Sequence, residues 1–284
     1  MNYLSELISW ERFVEIFNSA FTTSLVGALA GAYAGAYAAQ RIAERSKELA
    51  EFQAQIRNTN AAITLSFMVC NAAISLKRQH TKVLCDSYFA KKAEVEDFLQ
   101  SRKVRETKPD IAFEFQANLQ STPFLSVPID ALSTLVYEKL SVSVRPLAGV
   151  AALTGALSSL AYMITKRNEL IESFKELSPQ VREASFPALY FGHPDSEGHV
   201  STEYLDTMRG LQNLTDDVIF FSHLVCKDLI THGNKVLEKF KLQFKRELEQ
   251  IHAIELAPEK TAGLIPSDEQ YSEWLRGFVE KEDK

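Results

Sequence analysis

No charged residue falls between Glu15 and Arg41, and no glycine or proline falls between Ala36 and Lys108. The first absence admits a membrane as a neighbour. The second removes the usual helix breakers over a long reach and predicts continuous helix there. Cysteine is scarce as well. Cys70, Cys85 and Cys226 form no CxxC or other close pair, which speaks against a disulfide framework and fits free thiols in a reducing compartment. The common catalytic signatures are missing too: no P-loop, GxGxxG, GxSxG or HExxH is present. A net charge of −6 argues against a general nucleic-acid binder.

What is present begins with the charge-free run itself, "IFNSAFTTSLVGALAGAYAGAYAAQ", residues 16–40. A helix of this length rises about 37 Å, enough to cross a hydrocarbon core of about 30 Å. Gly27, Gly31 and Gly35 repeat at steps of four and share one stripe, with Tyr33 and Tyr37 on roughly the opposite side. Small residues at that spacing let two membrane helices approach closely, so the three glycines are the expected oligomer contact. "AYA" at 36–38 also satisfies a signal-peptidase pattern, but the leading segment carries Glu6, Glu11 and Glu15 against Arg12. A secretory leader is short and positive there, so an anchor is the better reading. Arg41, Arg45 and Lys47 follow the run, which places the carboxy-terminal body in the cytoplasm by the positive-inside rule.

The remaining chain carries helical stripes. Ile42, Leu49, Phe52, Ile56 and Ile63 continue the register of Gly35, which extends the membrane helix into a stem. "NAAITLSFMVCNAAISLK" (60–77) and "PLAGVAALTGALSSLAYMIT" (146–165) are apolar enough to raise the question of further membrane passes. Asn60, Thr64, Ser66, Asn71 and Ser75 make the first expensive in lipid. In the second, Val150, Leu153, Leu157, Leu160 and Ile164 run on through Ile171 and Phe174 into charged sequence, the mark of a core-facing helix.

A stripe from Tyr204 through Met208, Leu211, Val218, Phe221, Val225 and Leu229 ends at Gly233, read as a C-cap. Leu237, Phe240, Phe244, Leu248 and Ile251 then make a separate helix. Ser267 and Gln270 read as a capping box for a last amphipathic helix bearing Tyr271, Trp274, Leu275 and Phe278. "IAFEF" (111–115) alternates but is too short to found a sheet. Non-helical connections are expected at 108–127, 185–200 and 256–266.

The expected fold is all-α: an N-terminal transmembrane helix followed by a cytosolic helical bundle of about five or six helices. Its parts are a short amphipathic segment (1–15), the transmembrane helix (16–40), the cytosolic bundle (41–255), and a linker with a C-terminal amphipathic helix (256–284).

Chemistry is harder to find. His193, Asp195, Glu197 and His199 share one loop, but its Gly, Pro, Asp and Ser content is that of a turn. His223 and Cys226 lie at i, i+3 among apolar neighbours, which reads as a core histidine beside a buried thiol. Asp216 and Asp217 read as exposed helix surface. Lys77, Arg78, His80 and Lys82 cluster after an apolar helix and could contact an anion or a lipid headgroup. No catalytic residue, cofactor or metal ligand is assigned.

The block "AAQRIAERSKELAEFQAQIRNTNAAI…LKRQH", with "SEWL" near the end, resembles uncharacterised bacterial proteins carrying one N-terminal membrane helix. That resemblance implies a bacterial inner membrane and brings no catalytic residues. Two function classes remain. One is a membrane-anchored, self-associating scaffold, sensor or membrane effector, with the bilayer, copies of itself and an unidentified protein as partners and no nucleic acid. The other is a tethered enzyme with a site gathered from scattered residues such as His80, His223 and Cys226.

Overall fold

In a computed structural model, residues 20–104, 116–195, 197–245, 249–254, 256 and 261–278 are described. "IAFEF" and residues 1–19 lie outside that set. The described residues are almost entirely helical and contain no strand. The order is α1 (Ala20–Leu76), a π-helical turn (Lys77–Thr81), α2 (Lys82–Val104), α3 (Ile129–Thr134), a second π turn (Leu135–Lys139), α4 (Val144–Glu176), α5 (Pro179–Phe191) and α6 (Glu203–Phe244). A 3-10 turn (Asp268–Tyr271) then leads into α7 (Ser272–Arg276).

The chain divides into two compact units, Met1–Ala54 and Gln55–Lys284, with the boundary falling within α1. In the first, every residue from 23 to 48 is exposed. Leu25, Val26, Leu29, Tyr33, Tyr37 and Ile42 are all among the exposed large hydrophobic side chains. An added Cβ at Gly27, Gly31 or Gly35 would meet nothing within 4 Å.

The second unit is built on α4 packed antiparallel to α6. Val150, Leu153, Leu160, Ile164 and Ile171 of α4 are buried against Met208, Leu211, Val218, Val225 and Leu229 of α6. These are the two stripes expected from periodicity. Gly149 lets the helices close: a Cβ there would lie 2.8 Å from Val225 Cγ2. The stretch of α1 from Ile56 to Leu76 supplies a third face, with Ile63, Val69, Cys70 and Ala73 fully buried. Two of its polar residues, Asn60 and Ser66, are used inside the body, whereas Thr64 and Asn71 are exposed. Ser66 Oγ donates to the Ser222 carbonyl at 2.7 Å. Asn60 donates to the Gln250 carbonyl at 3.0 Å and accepts from the His252 N–H at 3.0 Å.

Several expectations are corrected. Gly233 does not cap a helix: α6 runs through it to Phe244 as one element of 42 residues. Its missing side chain serves close packing, since a Cβ would lie 2.6 Å from Ile251 Cδ1 and 3.0 Å from Thr59 Cγ2. The connection expected at 185–200 begins later, because α5 continues to Phe191 with Pro187 inside it and ends at Gly192 in the left-handed conformation, φ 71°. Pro179 at the start of α5 and the Ser178 hydroxyl accepting from Val181 N account for its beginning. Ser267 makes no side-chain cap, and its turn is 3-10 rather than a full helix.

The non-helical segment before α3 is fastened from below by an unusual pair. Arg167 is fully buried. Its Nη1 donates to the Gln120 carbonyl at 2.9 Å and to Thr122 Oγ1 at 3.0 Å, and its Nη2 to the Asn118 carbonyl at 3.3 Å. Asn168 closes both backbone groups of Thr122, accepting from its N–H at 2.9 Å and donating to its carbonyl at 3.0 Å. Beneath the guanidinium lies the ring of Tyr204 at 5.8 Å, stacked in turn on Tyr190 at 4.6 Å.

Candidate functional site

A concavity with mixed chemistry lies along α6. His223, Cys226, Lys227, Ile230 and Thr231 fall at i, i+3, i+4, i+7 and i+8, so one helical face lines it. Phe67 and Cys70 of α1 form a second wall, and Ile254, Leu256, Thr261 and Ile265 from the segment after α6 close the third. The volume is about 530 Å³, within the range of small-molecule pockets. Burial grades across it. Cys70 and Cys226 are buried at the floor, 1% and 5% exposed, whereas Lys227 and Thr231 are exposed at the mouth.

Sequence spacing had paired His223 with Cys226. The fold adds Cys70, 156 residues away from Cys226 in the chain, for which no local pattern exists. Burial decides the chemistry of these groups. It pushes the Cys70 thiol up to about 12, against a lowering by the Ser222 hydroxyl. It pushes the Cys226 thiol up to about 11. Burial, and then the Lys227 ammonium, hold the His223 imidazole below its ordinary value. At neutral pH the site therefore offers protonated thiols beside a neutral imidazole. That is a soft, apolar floor rather than an activated nucleophile. Among the described residues no group of three His, Cys, Asp or Glu side chains is placed to hold a metal ion.

The basic cluster divides in two. Lys77, Arg78 and His80 lie in the π turn and Lys82 opens α2; Lys77 sits 2.6 Å from the Asp216 carboxylate and donates to the Leu264 carbonyl at 2.9 Å. Lys82 pairs with Asp86 at 2.7 Å. Arg78 and His80 are exposed. A small pocket of about 110 Å³ beside the turn is lined by both lysines and both aspartates, so its formal charges balance. Asp216 thus joins two elements instead of lying on open surface. Asp217 does the same, accepting from the Tyr271 hydroxyl at 2.7 Å while Tyr271 stacks on Phe220 at 3.7 Å.

The loop at 190–200 is a turn held by Asp195, whose carboxylate accepts from the N–H groups of Glu197 and His199, each at 2.9 Å. Those bonds hold the carboxyl below its usual range. His80 lines none of these cavities and lies on the exposed π turn.

No family model, no curated protein and no solved structure matches the chain.

Proposed function

We propose that the chain is a membrane-anchored, self-associating helical protein. Residues 16–40 cross a bacterial inner membrane once, the body lies in the cytoplasm, and the molecule acts as a scaffold, sensor or membrane effector through a protein partner. The observation that carries this reading is the unbroken exposure of residues 23–48. Leucine, valine and tyrosine side chains that water would disfavour lie open on a helix with no charge before Arg41. Two helical stretches pass a test of length and composition for crossing a membrane, but the apolar window of the first is 56% buried and so belongs to the body rather than to the exposed residues 23–48, and that of α4 is 33% buried. The span is assigned to 16–40 because residues 60–77 and α4 bury their apolar faces within the body. The open stripe of Gly27, Gly31 and Gly35 is the oligomer contact in this reading. Arg78 and His80, exposed on the π turn, are the members of the basic cluster left to meet an anion or headgroup.

Crosslinking in membranes tests the self-association. Replacing Gly27, Gly31 and Gly35 together with leucine keeps the span lipid-soluble but holds backbones apart. The crosslinked species then disappears while membrane insertion persists, and leucine at Tyr33 and Tyr37 has much less effect. Unchanged crosslinking in the triple variant rules out the glycine contact.

The alternative, a tethered enzyme, draws support from His223 and Cys226 lining one cavity. Against it stand the raised thiols and the separation of His80 from that cavity.

A further inference from the structure

The cavity along α6 has a polarity that selects its ligand. Its floor is made of two buried thiols, and its walls carry Phe67, Ile230 and Ile254. Its mouth carries one ammonium, Lys227, which has no ion pair among the described residues, with the Thr231 hydroxyl one turn on. Asp268 acts on His223 electrostatically but does not line the cavity. Among the described residues the lining is mostly apolar and offers a single cation, which disfavours sugars, nucleotides and polyanions. They would bury polar groups without partners or need more than one positive charge. It suits an alkyl chain that ends in one negative group.

We propose that this cavity binds a single-chain fatty-acid-type amphiphile, with the alkyl chain on the thiol floor and the carboxylate at Lys227. The inference goes beyond the membrane-anchor reading and depends only on the second unit. It holds whether or not the glycine stripe self-associates. A volume of about 530 Å³ accommodates one drug-sized ligand rather than a two-chain lipid.

The test is equilibrium binding of labelled decanoate to the full-length protein, in nanodiscs or in buffer as its solubility requires, with protein-free samples subtracted. One saturable site per chain is expected. Lys227→Ala, at an exposed position, should weaken decanoate about tenfold, the order of one charge-assisted bond, while leaving uncharged decanol unchanged. Ile230→Trp should fill the cavity and abolish binding of both, with an unaltered helical spectrum showing that the body has folded. Should that variant fail to fold, competition decides: decanol should displace decanoate, and dioctanoyl phosphatidylglycerol should not. Non-saturable uptake, equal losses of decanoate and decanol on Lys227→Ala, or displacement by the two-chain lipid would each overturn the proposal.

Discussion

Arg167 donates to the Thr122 hydroxyl at 3.0 Å from a position with no solvent exposure. The guanidinium charge is stabilised by carbonyl and hydroxyl oxygens and an aromatic face, with no carboxylate partner among the described residues. Its fork geometry matters because three acceptors within residues 118–122, two carbonyls and one hydroxyl, are met by two nitrogens. Arg167→Ala should destabilise the body by about 3–5 kcal/mol, from the cavity and the stranded acceptors. Thr122→Val, which removes one acceptor and keeps the volume, should cost about 1 kcal/mol. Denaturant unfolding followed by tryptophan fluorescence reports this, since Trp274 packs 5.1 Å from Phe221 in the body. Equal effects from the two variants would contradict the clamp.

Two glycines in long helices should respond in opposite directions. Gly233 has no room for a larger side chain, with Ile251 and Thr59 against it, so Gly233→Leu should destabilise by about 1–3 kcal/mol through overpacking. Gly155 is exposed and a Cβ there meets nothing within 4 Å, so Gly155→Ala should stabilise by up to about 1 kcal/mol on helix propensity. The same unfolding assay separates them.

Gly233 also shows where local pattern stops being informative. A glycine after a helical stripe reads equally well as a C-cap or as a close-packing site, and only the partner, Ile251, distinguishes them. The seams from Val150 to Phe174 and from Tyr204 to Leu229 were readable because burial there follows the helical period. Arg167 was not, since a basic residue within "TKRNEL" looks like solvated surface until the 116–128 segment folds over it. The floor thiol Cys70 joins Cys226 through tertiary packing alone. The π turn at Lys77–Thr81 left no trace, because one added residue per turn changes hydrogen bonding without changing composition.

Thiol chemistry gives a pH signature. Cys70 and Cys85 are pushed up to about 12 and Cys226 to about 11, in each case first by burial. Native protein at pH 8 should therefore alkylate about 100-fold or more slowly than unfolded chain. Because the folded values are raised, their stabilising contribution is complete below pH 9 and is lost as pH climbs from 9 toward 12. His223 and His232 are lowered by burial, so stability also falls as pH drops below about 6.5. Rapid alkylation of native Cys226 at pH 7 would contradict this and favour the enzyme reading.

The central claim is anchoring through residues 16–40, and membrane fractionation tests it most directly. Full-length protein should remain with the membrane after alkaline carbonate extraction and enter solution only with detergent. Protein lacking residues 1–40 should be soluble and helical. Full-length protein that is soluble without detergent would contradict the account.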